Sequence, residues 1–188
     1  VEWLEARPDF GMVLCDVVRM DAEHRDIEIF RRRVLLPEDG EILKWVLLEP
    51  ALVPASAMLR RSTYELIGGF DESLPTAEDL DFHLRVAARC RIGVVEEPLV
   101  RAMRGHDGLS SLARTYDDYV RVVEAAVAAS IDRVSLRDRH RALARVLAAF
   151  HQFAPPVGRR VFTQLLQLGY LPHACRGDQS SRDDSLVD

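Results

Sequence analysis

Ile67-Gly-Gly-Phe-Asp-Glu72 and, after three intervening residues, Thr76-Ala-Glu-Asp-Leu-Asp-Phe-His-Leu-Arg85 form the stretch on which the fold turns. The glycine pair marks a stop. Gly68 fits a left-handed cap that ends a short helix over 61–67. Thr76 with Asp79 three residues later is a Ser/Thr-x-x-Asp/Glu start signal, and a helix is expected over 78–88. At about 100° per residue, Leu80, Leu84 and Ala87 share the main core face of that helix. Glu78, Asp81 and Arg85 share one flank, where Asp81 and Arg85 form an i,i+4 ion pair. Asp79 falls on a second, semi-apolar side with Phe82, His83 and Val86. A carboxylate in the first turn, beside the positive end of the helix dipole, is expected to stay ionised at neutral pH. Such a group can cap the helix, or it can take a proton as a general base.

Upstream, residues 11–20 (GMVLCDVVRM) are β-branched and apolar and predict a strand. A turn at DAEHR leads into 26–33, where Ile27 and Ile29 alternate with charged residues as in a half-exposed strand. Glu38-Asp-Gly40 is a turn, 41–48 a short helix that stops before Pro50, and 51–59 a buried strand. Downstream, 92–95 and 99–103 are expected to be two short strands split by Glu96-Glu-Pro98. Helical periodicity then takes over in 112–131, 136–153 and 157–168. The stripes Leu112, Tyr116, Tyr119, Val123, Val127 and Leu143, Val146, Leu147, Phe150 have the spacing of core or docking faces. A membrane-surface role is the minority reading, because Asp117, Asp118 and Glu124 dilute the basic character such a face needs. The tail 176–188 is polar and is expected to be disordered. The layout is a strand-rich α/β segment over 1–111, a helical extension over 112–175, and the tail.

The 188 residues suffice for one domain with a real core, and 48% hydrophobic with 29% charged residues is the composition of a globular chain. A net charge of −5 gives no reason to expect a nucleic-acid partner. Lys44 is the only lysine, a bias that fits a GC-rich coding sequence better than anion binding. Cys15, Cys90 and Cys175 are odd in number and lack a C-x-x-C, which indicates neither a disulfide framework nor a zinc site and makes a cytoplasmic setting the default. No apolar run approaches a bilayer span. Residues 1–8 lack the basic and apolar regions of a signal peptide. The start at Val1, without Met and in what looks like the end of a helix, is expected of a truncated chain or of a start codon read as Val.

Residues 53–111 resemble the C-terminal half of family 2 glycosyltransferases of the GT-A type. Met58-Leu-Arg-Arg-Ser62 matches an Arg-rich start to a short helix, and Gly68 to Glu72 matches the family's GGFDE loop without a change. Glu78, Asp79, Asp81 and Arg85 match an E-D-x-D-x-x-x-R helix, while Arg104 and His106 match the R-x-H of a Y-R-x-H-x-x-S segment, with Ser110 one position beyond its serine. Each piece is weak alone; four in order are fairly specific. The resemblance implies a partial GT-A-like mixed sheet with a helical extension. It implies inverting sugar transfer from a nucleotide-diphospho-sugar donor to a glycan or lipid-linked acceptor, of the kind used in cell-surface polysaccharide biosynthesis. By the same resemblance Asp79 is the catalytic base, Glu78, Gly68, Gly69 and Asp71 shape the acceptor site, and Arg104 and His106 face the donor diphosphate. His106 is also the implied metal ligand for Mg or Mn.

The departures are specific. Met103 replaces the family's aromatic before the arginine, and no D-x-D precedes the GGFDE loop. Asp16 and Asp21 are too far apart to replace it, and no Gly-rich phosphate loop is present. The nucleotide-binding half is therefore expected to be missing, the divalent metal is expected only together with that half, and the chain alone is expected to be inactive. The alternatives are a non-catalytic remnant or interaction module with a GT-A-derived fold, and a generic α/β domain with a chance motif. A half-domain with an uncovered sheet edge would also favour self-association, and peripheral membrane association remains among the partner readings.

Overall fold

The computed structural model describes residues 1–30, 40–48, 56–103 and 114–149. Its centre is strand β1, Phe10–Met20, whose residues from Phe10 to Val17 are all buried. A continuous apolar run of this kind belongs to a strand covered on both faces. Strand β4, Arg91–Met103, pairs with β1 in parallel along its whole length. Strand β2, Asp26–Phe30, pairs antiparallel with Val17 to Met20, and β3, Ala57–Leu59, pairs antiparallel with Met12 to Leu14. A strand has two edges, so β2 and β3 share the edge that β4 leaves, lying end to end along it. The result is a mixed α/β fold around a four-stranded sheet.

The two short strands expected over 92–95 and 99–103 are one. Proline inside a strand is tolerated at an edge or where the register shifts. Both conditions hold: Pro98 faces Asp16, where the β1–β4 register is irregular on either side, and among the described residues β4 pairs with β1 alone. The strand over 26–33 is described to Phe30, and of 51–59 residues 56–59 are described, where the strand is Ala57–Leu59 and is partly exposed rather than buried. The expected helix over 157–168 and the tail fall outside them.

Met12 and Leu14 point to the helix-covered face, because alternate residues of a strand share a side. They meet α2, Leu43–Leu48, through Val46 and Leu47, and α4, Glu78–Ala87, through Leu80 and Leu84. Helices α5, Arg114–Ala129, and α6, Leu136–Ala149, join the same cluster through Val122, Val123, Ala142 and Val146. Of the expected stripes, Val123 and Val146 are core residues and Tyr119, Val127 and Leu143 pack against them, each fully buried side chain contributing about 1.5–3 kcal/mol. Helix α6 opens with a reciprocal cap in which the Asp138 N–H donates to Ser135 Oγ at 3.1 Å and Ser135 Oγ donates to Asp138 Oδ2 at 2.8 Å. Lys44 of α2 reaches the same carboxylate at 2.9 Å and holds it below the ordinary aspartate range. No helix among the described residues is long and apolar enough to cross a membrane.

On the other face of the sheet, helix α1, Glu2–Glu5, lays Trp3 and Leu4 against Phe10 and Val13. The Trp3 and Phe10 rings meet edge-on with centroids 5.1 Å apart. The indole lies so close to Gly93 that an added Cβ would stand 1.9 Å from it, so only glycine fits beneath Trp3. Gly93→Ala is therefore expected to destabilise the fold by about 1–3 kcal/mol through overpacking. Urea unfolding measures the loss, and a second change, Trp3→Leu, should recover part of it.

Candidate functional site

Helix α3, Arg61–Ile67, ends at Gly68, whose left-handed conformation (φ 86°) confirms the expected cap. Gly69 follows with φ 80°, so two successive residues adopt backbone angles that a side chain would strain. An added Cβ at Gly69 would also come within 2.9 Å of the Tyr64 hydroxyl. This abrupt turn carries Phe70 back over α4, where its ring lies 4.7 Å from that of Phe82.

One guanidinium fixes the loop to the helix. Arg85 Nη1 donates to the Ile67 carbonyl at 2.9 Å, and Nη2 donates to the Gly69 carbonyl at 2.8 Å. Its Nε and Nη2 also hold Asp81 Oδ2, at 2.8 and 2.6 Å. The i,i+4 pair legible in the sequence is therefore the base of a longer latch that satisfies the carbonyls at the end of α3. Asp71 begins a turn in which its Oδ1 accepts the Ser73 N–H at 2.9 Å. Hydrogen bonding from Ser73 lowers its pKa, and the carboxylate stays in solvent.

Thr76 does not cap α4. The cap position is Ala77, in a left-handed conformation with φ 61° and no side-chain cap hydrogen bond. Thr76 Oγ1 instead donates to Asp118 Oδ2 of α5 at 2.6 Å, in a buried contact between elements 42 residues apart. Asp79 serves the start of the helix from within its first turn, where backbone N–H groups have no intrahelical partner. Its Oδ1 accepts the N–H of the next residue, Leu80, at 2.7 Å. Asp79 and Glu78 are both half-buried in the first turn.

Burial raises the Asp79 pKa above the ordinary aspartate value, outweighing the backbone N–H groups that lower it. The helix-end effect expected from the sequence is thus the lesser force here. Beside it stands Tyr119 of α5. Burial, then the charges of Asp79 and Glu78, push the Tyr119 hydroxyl up to about 12. Tyr119 is thereby a protonated phenol next to a pair of carboxylates, placed by a helix that sequence reasoning treated only as an apolar stripe. Around them Phe82 and His83 are buried, so Asp79 stands at the edge of an apolar, aromatic-walled surface.

The Arg85 latch thus ties the Gly68–Gly69 turn to α4, whose first turn carries Glu78 and Asp79, and Asp71 follows the turn in solvent. Arg104 and His106, the residues implied to face a diphosphate and metal, lie outside the described residues, as does Ser110. Among the described residues no three His, Cys, Asp or Glu side chains gather to hold a metal ion.

No family model matches the chain, and no curated protein matches it.

The latch predicts a difference between two arginines. A lysine ammonium cannot span both carbonyls and Asp81 together, so Arg85→Lys is expected to cost about 1–3 kcal/mol. Arg61, whose pair with Glu65 is exposed, should lose no more than about 0.5 kcal/mol on substitution by alanine. Urea denaturation of the two variants checks the contrast.

Proposed function

We propose that this chain carries the acceptor and catalytic-base side of a glycosyltransferase that moves a sugar from a nucleotide-diphospho-sugar to an acceptor hydroxyl with inversion. The observation that carries the reading is Asp79: a half-buried carboxylate with a raised pKa, at the start of a helix to which Arg85 ties the glycine loop. A general base works best when its pKa is drawn toward the working pH, and partial burial does this for a carboxylate. In this reading the acceptor sugar lies along the loop from Gly68 to Asp71, its hydroxyl donating to Asp79. Removal of that proton as the oxygen attacks the anomeric carbon leaves the nucleoside diphosphate as the departing group. Glu78 and exposed Asp71 accept hydrogen bonds from the other hydroxyls, and Phe70, half exposed, offers the apolar ring face that sugars stack on. The GT-A-like sheet, the nucleotide-sugar donor, the divalent metal and the roles of Arg104 and His106 belong to the same proposal.

The described residues form no metal cage of their own, so none of these steps is routed through an ion. The metal, where bound, would offset charge on the leaving diphosphate.

Asp79→Asn separates this role from a structural one. The raised pKa means that the fold favours the neutral acid. The corresponding stability is fully present below the unfolded pKa and is lost as pH rises through the folded one. At pH 7 the asparagine variant should therefore unfold at the same or a higher temperature than the parent, while sugar transfer by the protein expressed from its own gene falls by roughly a hundredfold or more. The pH profile of kcat/KM in the parent should lose activity on its acid side above the ordinary aspartate value. Normal transfer by the variant would remove Asp79 from the chemistry.

A further inference from the structure

At the opposite end of α4 the chain forms a second polar site. Arg89 and Cys90 follow the helix, Arg91 opens β4, and Arg60 precedes α3. With Arg133, Asp9 and Glu41 they line a cavity of about 430 Å³, within the size range of small-molecule sites. A ten-residue helix is about 15 Å long, which places this cavity well away from Asp79.

The charge in the cavity is unbalanced. Among the described residues four guanidiniums face two carboxylates, in a chain whose net charge is −5. Arg91 pairs with Asp9, and Arg133 pairs with Glu41 at 2.7 Å. Arg60 and Arg89 have no carboxylate partner among the described residues. Arg60 donates to the main-chain carbonyls of Phe10 (2.9 Å), Leu4 and Arg7 (3.2 Å), which fixes its fork at the cavity wall, and Arg89 reaches the Leu66 carbonyl at 3.4 Å. A half-buried cation held by carbonyls alone keeps its charge uncompensated, and a fixed guanidinium fork matches the paired oxygens of a phosphate. The excess of two positive charges among the described lining residues matches the charge of a phosphate monoester near neutral pH.

We propose that this cavity binds a small phosphorylated molecule through Arg60, Arg89, Arg91 and Arg133, at a site separate from the Asp79 surface. The inference does not depend on the transferase reading.

Cys90 lines the cavity and supplies the readout. The full chain is treated with iodoacetamide, and labelling of the Cys90 peptide is followed by mass spectrometry with glycerol phosphate or with malonate at matched ionic strength. At ten times its Kd, glycerol phosphate should slow labelling about tenfold and raise the melting temperature, as for any ligand that binds the folded state alone. Malonate should do neither. Arg89→Ala, which removes an exposed side chain with one long contact, should abolish both effects while its ligand-free melting temperature stays that of the parent. The proposal is overturned if millimolar glycerol phosphate gives neither effect, if malonate matches it, or if the Arg89 variant responds like the parent.

Discussion

The Arg85 guanidinium joins three things that would otherwise move independently: the end of α3, the glycine turn and Asp81 of α4. Hydrogen bonds to a charged donor contribute more than neutral ones, and a planar fork places several at fixed angles to one another. The constraint propagates outward. With the Ile67 and Gly69 carbonyls held, Phe70 must fold back on Phe82, and Tyr64 closes the other side of the same ring at 6.0 Å. Helix α4 is in turn fixed by burial on nearly every side, including Leu80, Phe82, His83, Leu84 and Val86. A loop rich in glycine thereby becomes a defined surface.

Helix α5 completes that surface from a distance in sequence. Its Asp118 captures Thr76, which does not cap α4, and the charges of Asp79 and Glu78 act on its Tyr119. Two forces compete at Asp79. The helix end and the neighbouring N–H groups favour the ionised form, while removal from water favours the neutral one; burial is the larger.

Much of this region was legible from local signals. The limits of α3, the left-handed Gly68 and the Asp81–Arg85 pair all follow from residues within one turn of each other. What could not be read was set by partners far along the chain. Thr76 carries a start signal that Asp118 overrides, whereas the same signal at Ser135 and Asp138 has no such competitor and forms the cap. Pro98 looked like a break until its position opposite the irregular register at Asp16 was known. Gly93 gave no hint of the Trp3 ring that requires it, and the four cavity arginines converge only once β4, α3, α4 and the connection between α5 and α6 are assembled.

The most direct test of the account is the pKa of Asp79, followed through its side-chain carboxyl carbon by NMR titration of the intact chain. A midpoint above the ordinary aspartate value is predicted, because burial governs the site. A midpoint at or below that value would mean that the helix end and its N–H groups prevail. Asp79 would then be a structural carboxylate, and the catalytic reading of this surface would be contradicted.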